Sequence, residues 1–125
     1  MKLNILKIIF SGIVFLILDA IYLNLTSSFT QKHIRMIQGS TISMNIYAAI
    51  LCYVFLIAGL NYFIIEQNKS IMDAFLFGIV IYGVYETTNW AIFKLWPPLL
   101  VLIDTLWGGV LFATTTYIVY KVYGL

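Results

Sequence analysis

Residues 82–109 read YGVYETTNWAIFKLWPPLLVLIDTLWGG. Two apolar stretches carry one acid each, Glu86 and Asp104, and meet at a Trp-Pro-Pro corner. Proline removes a backbone donor and disfavours helix in the residue before it, so 94–98 marks a break between two helices. Acids in such apolar surroundings are costly and are kept where they face a bundle interior or a polar cavity. The stretch therefore predicts two antiparallel apolar helices with a polar layer between them.

The remaining sequence extends this pattern. With 62% hydrophobic and 10% charged residues and a mean hydropathy of +0.99, the chain is too apolar for an ordinary soluble domain. A helix needs ~20 residues to span the hydrocarbon layer, so 125 residues accommodate about four spans with short connections. These are read at about 4–25, 44–65, 71–93 and 99–122, forming one transmembrane domain over 1–125. The expected fold is all-α: an integral membrane four-helix bundle of antiparallel up-down spans, with a short interfacial helix after the first. That helix is read from Phe29, His33, Met36 and Ile37 at helical spacing, with Lys32 and Arg35 to another side and Gly39 near its end. Residues 66–70 form a tight turn. The pairs Ala74/Gly78, Gly83/Thr87 and Gly109/Ala113 place small residues where helices approach closely. The second span has no acid and reads as scaffold, and Tyr117, Tyr120, Lys121 and Tyr123 read as an interfacial belt.

Lys2 and Lys7 before an apolar run imitate a signal peptide. No small-x-small site precedes Asp19 and the run continues to Leu25, so the segment is read as a retained span. The net charge of +2 lies on scattered residues without a basic run, which gives no reason to expect nucleic acid. The expected partner is the lipid bilayer, with homo-oligomerisation left open. Lys2, Lys7, Lys69 and Lys121 on one side against Lys32, Arg35 and Lys94 on the other favour cytoplasmic termini. The membrane would be a bacterial inner membrane or, for a viral chain, a host or virion membrane. The single cysteine, Cys52, excludes an intramolecular disulfide and a cysteine metal motif.

Antiparallel order allows depth to be counted. Asp19 precedes Leu25 by six residues, Glu86 precedes Phe93 by seven and Asp104 follows Leu99 by five. At 1.5 Å rise each acid lies roughly 7–11 Å below the same membrane face. Residues sharing their helix faces complete the candidate site: Asp19, Tyr22, Tyr82, Glu86, Asn89, Trp90, Asp104 and Trp107. Asp-x-x-aromatic occurs in the first span and again in the last. Asp19, Glu86, Asn89 and Asp104 are expected to face the interior within side-chain or single-water reach of one another, with 28–38 lying along the membrane surface above them as a lid or lipid anchor.

Such a layer suits a proton, a small amine-bearing molecule or a hard cation such as Mg²⁺ or Ca²⁺. Three carboxyls in one low-dielectric layer are expected to share protons unless a cation replaces them. The function expected is binding or translocation of such a species. The alternatives are a lipid-modifying enzyme and a structural or assembly component whose acids are hydrogen-bonded glue. His33 stands alone, and no nucleophile–base pair, phosphate loop or dinucleotide fingerprint is present in the sequence.

Leu18-Asp19 with Tyr22, Tyr85-Glu86-Thr87-Thr88-Asn89, Trp96-Pro97 and Asp104-Thr-Leu-Trp107-Gly108, in this order, resemble a small bacterial membrane-protein family known as domain of unknown function 2177. The resemblance spans nearly the whole chain. The family's usual tyrosine-aspartate is Tyr85-Glu86 here, one methylene longer, and its usual tryptophan after the first-span aspartate is Tyr22. The resemblance implies a four-span membrane protein with recurring polar residues Asp19, Glu86, Asn89 and Asp104, and it implies no reaction.

Overall fold

The computed structural model describes residues 4–40 and 44–124. Four helices account for nearly all of them: α1 (Ile5–Gln38), α2 (Ile46–Leu60, continued by a π-helical turn Asn61–Ile65), α3 (Ile71–Ile92) and α4 (Pro98–Tyr123). All four are long and apolar enough to cross a membrane, and the described residues contain no strand. Lys2, counted among the flanking charges, and 41–43 of the first connection lie outside the described residues.

Local chemistry sets the helix ends. Asn4, Asn45 and Ser70 are N-caps whose side chains accept from the backbone amides of Lys7, Ala48 and Asp73. Pro98 opens α4, where its missing amide costs nothing. Gly39 ends α1 at φ 78°, and Asn68 supplies a left-handed residue (φ 51°) in the turn before α3.

The segment expected as a separate interfacial helix is instead the last turns of α1. The helicity and the Gly39 stop are as expected, but nothing interrupts the helix after Leu25. Its polar residues satisfy themselves locally: Thr26 Oγ1 donates to the Tyr22 carbonyl (2.9 Å), Ser27 Oγ to Asn24 (3.0 Å) and His33 Nδ1 to Phe29 (2.8 Å). At 34 residues, α1 is about 51 Å long and outreaches a hydrocarbon layer of ~30 Å by several turns.

α3 and α4 form the closest pair. A β-carbon on Gly78 would collide with the Gly108 carbonyl, and one on Gly108 with the Tyr82 ring. Ala74, Gly78 and Gly109 are buried in this seam as the small-residue spacing predicts, whereas Thr87 is exposed. The apolar core, built on Phe15, Leu60, Ile65, Leu111, Phe112 and Val119, occupies the half of the bundle nearer the termini. Phe15, Phe77 and Tyr82 all meet Phe112, with ring centroids 5.4–6.2 Å apart. At the terminal end Lys7 pairs with Glu66 (3.5 Å), and the Tyr120 hydroxyl donates to the Lys69 carbonyl (2.7 Å). Tyr120 therefore ties α4 to the α2–α3 turn.

Candidate functional site

The two Asp-x-x-aromatic motifs lock into each other. Asp19 and Tyr22 lie one turn apart on α1, and Asp104 and Trp107 one turn apart on α4. Because the helices are antiparallel, each aromatic residue meets the other helix's acid. The Tyr22 hydroxyl donates to Asp104 Oδ1, and Trp107 Nε1 donates to Asp19 Oδ1 at 2.9 Å. The two rings stack face to face, with centroids 4.6 Å apart and planes 5° from parallel.

Two more donors complete the cluster. Tyr53 on α2 donates to Asp19 Oδ2 at 2.5 Å, so both oxygens of that carboxyl are engaged. Trp96, buried at the proline corner, donates its indole N–H to Glu86 Oε1 at 3.0 Å. Glu86 is 1% exposed, and its carboxyl lines the same cavity as Asp104. Among the described residues, the hydrogen-bond donors to these acids are neutral Tyr and Trp side chains, so the acids collect hydrogen bonds without a compensating positive charge.

The cluster lies at one end of a cavity of about 620 Å³. α1 contributes Asp19, Tyr22, Leu23, Thr26, Thr30, Ile34 and Gln38; α2 contributes Cys52, Tyr53 and Leu56. Ile81, Tyr82, Tyr85 and Glu86 come from α3, and Trp96, Leu100, Asp104 and Trp107 from the corner and α4. Lys32 and Arg35 are exposed and lie outside this lining. Among the described residues no group of three or more His, Cys, Asp or Glu side chains is arranged to hold a metal ion.

Of the residues singled out from sequence, Asp19, Tyr22, Tyr82, Glu86, Asp104 and Trp107 meet at this cavity. Asn89 and Trp90 do not belong to its lining, and Trp90 is 51% exposed. The i, i+4 stripe of α3 through Ala74, Gly78, Tyr82 and Glu86 advances about 40° past a full turn at each step, which carries the next member away from α4. Sequence reading missed Tyr53 and Trp96. Tyr53 lies seven residues into α2, about 10 Å along it, so the depth count used for the acids would have placed it in their layer. α2 is thus more than scaffold.

A second buried polar set was also missed. Asn61, 2% exposed, donates through Nδ2 to Ser11 Oγ at 2.9 Å and to the Ile57 carbonyl at 2.8 Å, where α2 passes into its π-helical turn. Its only sequence signal is an amide amid an apolar span.

Over residues 4–121 the sequence matches the family described as "Predicted membrane protein (DUF2177)". The chain belongs to this family. The match covers α1 to α3, α4 as far as Lys121 and every residue of the carboxyl cluster, which agrees with the resemblance carried by the Glu86, Trp96 and Asp104 motifs. No curated protein and no solved structure matches the chain. What the family membership states is a membrane protein, so a role for the cavity rests on its chemistry.

Proposed function

We propose that this family member is a membrane-embedded binding module whose carboxyl cluster takes up a small amine-bearing or other cation in exchange for protons. The observation that carries this reading is the composition of the cavity. Asp19, Glu86 and Asp104 line it, and no Lys, Arg or His does so among the described residues. Negative charge in a low-dielectric site needs either protons or a cation, and Tyr and Trp donors alone do not supply that charge. Their rings favour an organic cation, because the aromatic face attracts an ammonium group with little of the desolvation cost that a metal ion carries.

Binding from one side fits the packing better than an open channel. Beyond Asp19, towards the termini, Phe15 and Phe112 are fully buried and in contact. They close the route one helical turn from Asp19 and about two from Asp104.

Calorimetry on protein in nanodiscs tests the proposal. A primary alkylamine is expected to bind, with a heat that changes between buffers of different ionisation enthalpy because protons leave as the amine enters. Asp104→Asn is expected to weaken binding by about tenfold or more, the value of a charge-assisted hydrogen bond. Mg²⁺, Ca²⁺ and K⁺ belong in the same titration as competing occupants. Absence of binding by every amine and cation would overturn the proposal.

A further inference from the structure

The cavity has a shape as well as a charge. On α1 it follows a stripe that winds gradually round an unbroken helix, from Asp19 through Thr26, Thr30 and Ile34 to Gln38. From position 19 to position 38 that stripe is roughly 28 Å long at 1.5 Å rise per residue. A lining of this length with its acids gathered at one end suits an extended cation better than a compact one.

Polarity is graded along the trough. The three carboxyls and the stacked Tyr22–Trp107 pair occupy the deep end. Further out, hydroxyls of Thr26 and Thr30 alternate with Leu100, Ile34 and the Trp96 ring, and Gln38 stands at the outer end. A lipid-like amine with its ammonium among the acids would point its hydrocarbon tail along the part of α1 that outreaches the membrane. That is the wrong way round for an amphiphile. An inorganic cation would leave most of the trough unfilled.

We infer that the occupant is a linear aliphatic diamine or polyamine, with one ammonium among Asp19, Glu86 and Asp104 and its methylene chain running outward past Thr26, Thr30 and Ile34. The inference rests on the cation-binding reading above and specifies the class of cation. An ammonium group has three donors, and each carboxyl oxygen that already accepts from Tyr or Trp keeps a further lone pair to meet them. The methylenes beside the ammonium lie against aromatic walls, and the outer ammonium reaches the Thr30–Gln38 end, where hydroxyl and amide groups replace hydrocarbon.

The test compares cation shapes in nanodiscs of zwitterionic lipid, so that anionic headgroups do not collect polyamines by themselves. Tetramethylammonium, butylamine, putrescine and spermidine are titrated into wild type and into Thr30→Trp, which fills the middle of the trough without touching an acid. Affinity is expected to rise from butylamine to putrescine to spermidine by about tenfold or more overall. In Thr30→Trp the spermidine-to-butylamine ratio should fall towards one. Protection of the lining residue Cys52 from maleimide gives a second reading in unaltered protein, with spermidine expected to protect at lower concentration than tetramethylammonium. If tetramethylammonium binds as tightly as spermidine, or the ratio survives Thr30→Trp, the linear inference is overturned while cation binding stands. If no cation of either shape binds or protects Cys52, the cation reading is overturned with it.

Discussion

Tyr22 and Trp107 stack on one another while each donates to an aspartate on the other's helix, so removing either donor disturbs both α1 and α4. Leaving a buried acceptor without its donor costs about 1–3 kcal/mol. Tyr22→Phe and Trp107→Phe are each expected to lose that much in reversible unfolding in micelles. Because the rings also position each other, the double variant should lose less than the sum, with a coupling of about 0.5–3 kcal/mol. Strict additivity would show that the two motifs act separately. The acids were legible in the sequence because a charge in an apolar span is rare and its depth can be counted. Tyr53 and Trp96 were not, since Tyr and Trp are ordinary at membrane interfaces and only the fold shows which of them turns inward. Asn89 and Trp90 share a helix face with Glu86 but not its cavity, because the α3 stripe turns away from α4 after Glu86.

At the scale of elements, the α3–α4 seam rests on backbone contact. A methyl group at Gly78 would meet the Gly108 carbonyl, which cannot move aside without shifting α4, whereas at Gly83 it would meet only Thr105 Cγ2 at 3.6 Å, an ordinary contact. Gly78→Ala is therefore expected to cost about 1–3 kcal/mol by overpacking, despite the better helix propensity of alanine. Gly83→Ala should be neutral or stabilising by up to about 1 kcal/mol. Thermal unfolding of the two variants side by side checks the contrast, and equal effects would contradict the seam described here. The spacing of small residues announced close packing but not which pair carries it, because that depends on which faces of α3 and α4 meet. The continuity of α1 was illegible for a related reason. Polar residues after an apolar run read as a surface connection, yet Thr26, Ser27 and His33 bond to their own helix and let it continue.

At the scale of the molecule, the buried polar side chains among the described residues fall into two sets separated by hydrocarbon. The acid cluster opens into the trough, while Ser11 and Asn61 lie nearer the termini with Thr115 and Thr116, all at most 2% exposed. On α1, Ser11 is two turns from Asp19, and Phe15 stands between them against Phe112, itself one turn from Thr115 and Thr116. A proton relay needs an unbroken chain of hydroxyls, carboxyls or water, and the edge-on contact of Phe15 with Phe112 provides none. Wild-type protein in liposomes is therefore expected to add no proton leak above that of protein-free vesicles when a pH gradient is monitored with an entrapped dye. Phe15→Ala with Phe112→Ala would remove both rings and leave room for water between the polar sets, and this variant should leak. Far-ultraviolet circular dichroism of the same preparation would confirm that its helices persist. A wild-type leak that Asp19→Asn abolishes would mean that protons already pass the phenylalanines, and the one-sided cavity would have to be replaced by a conducting path through the bundle.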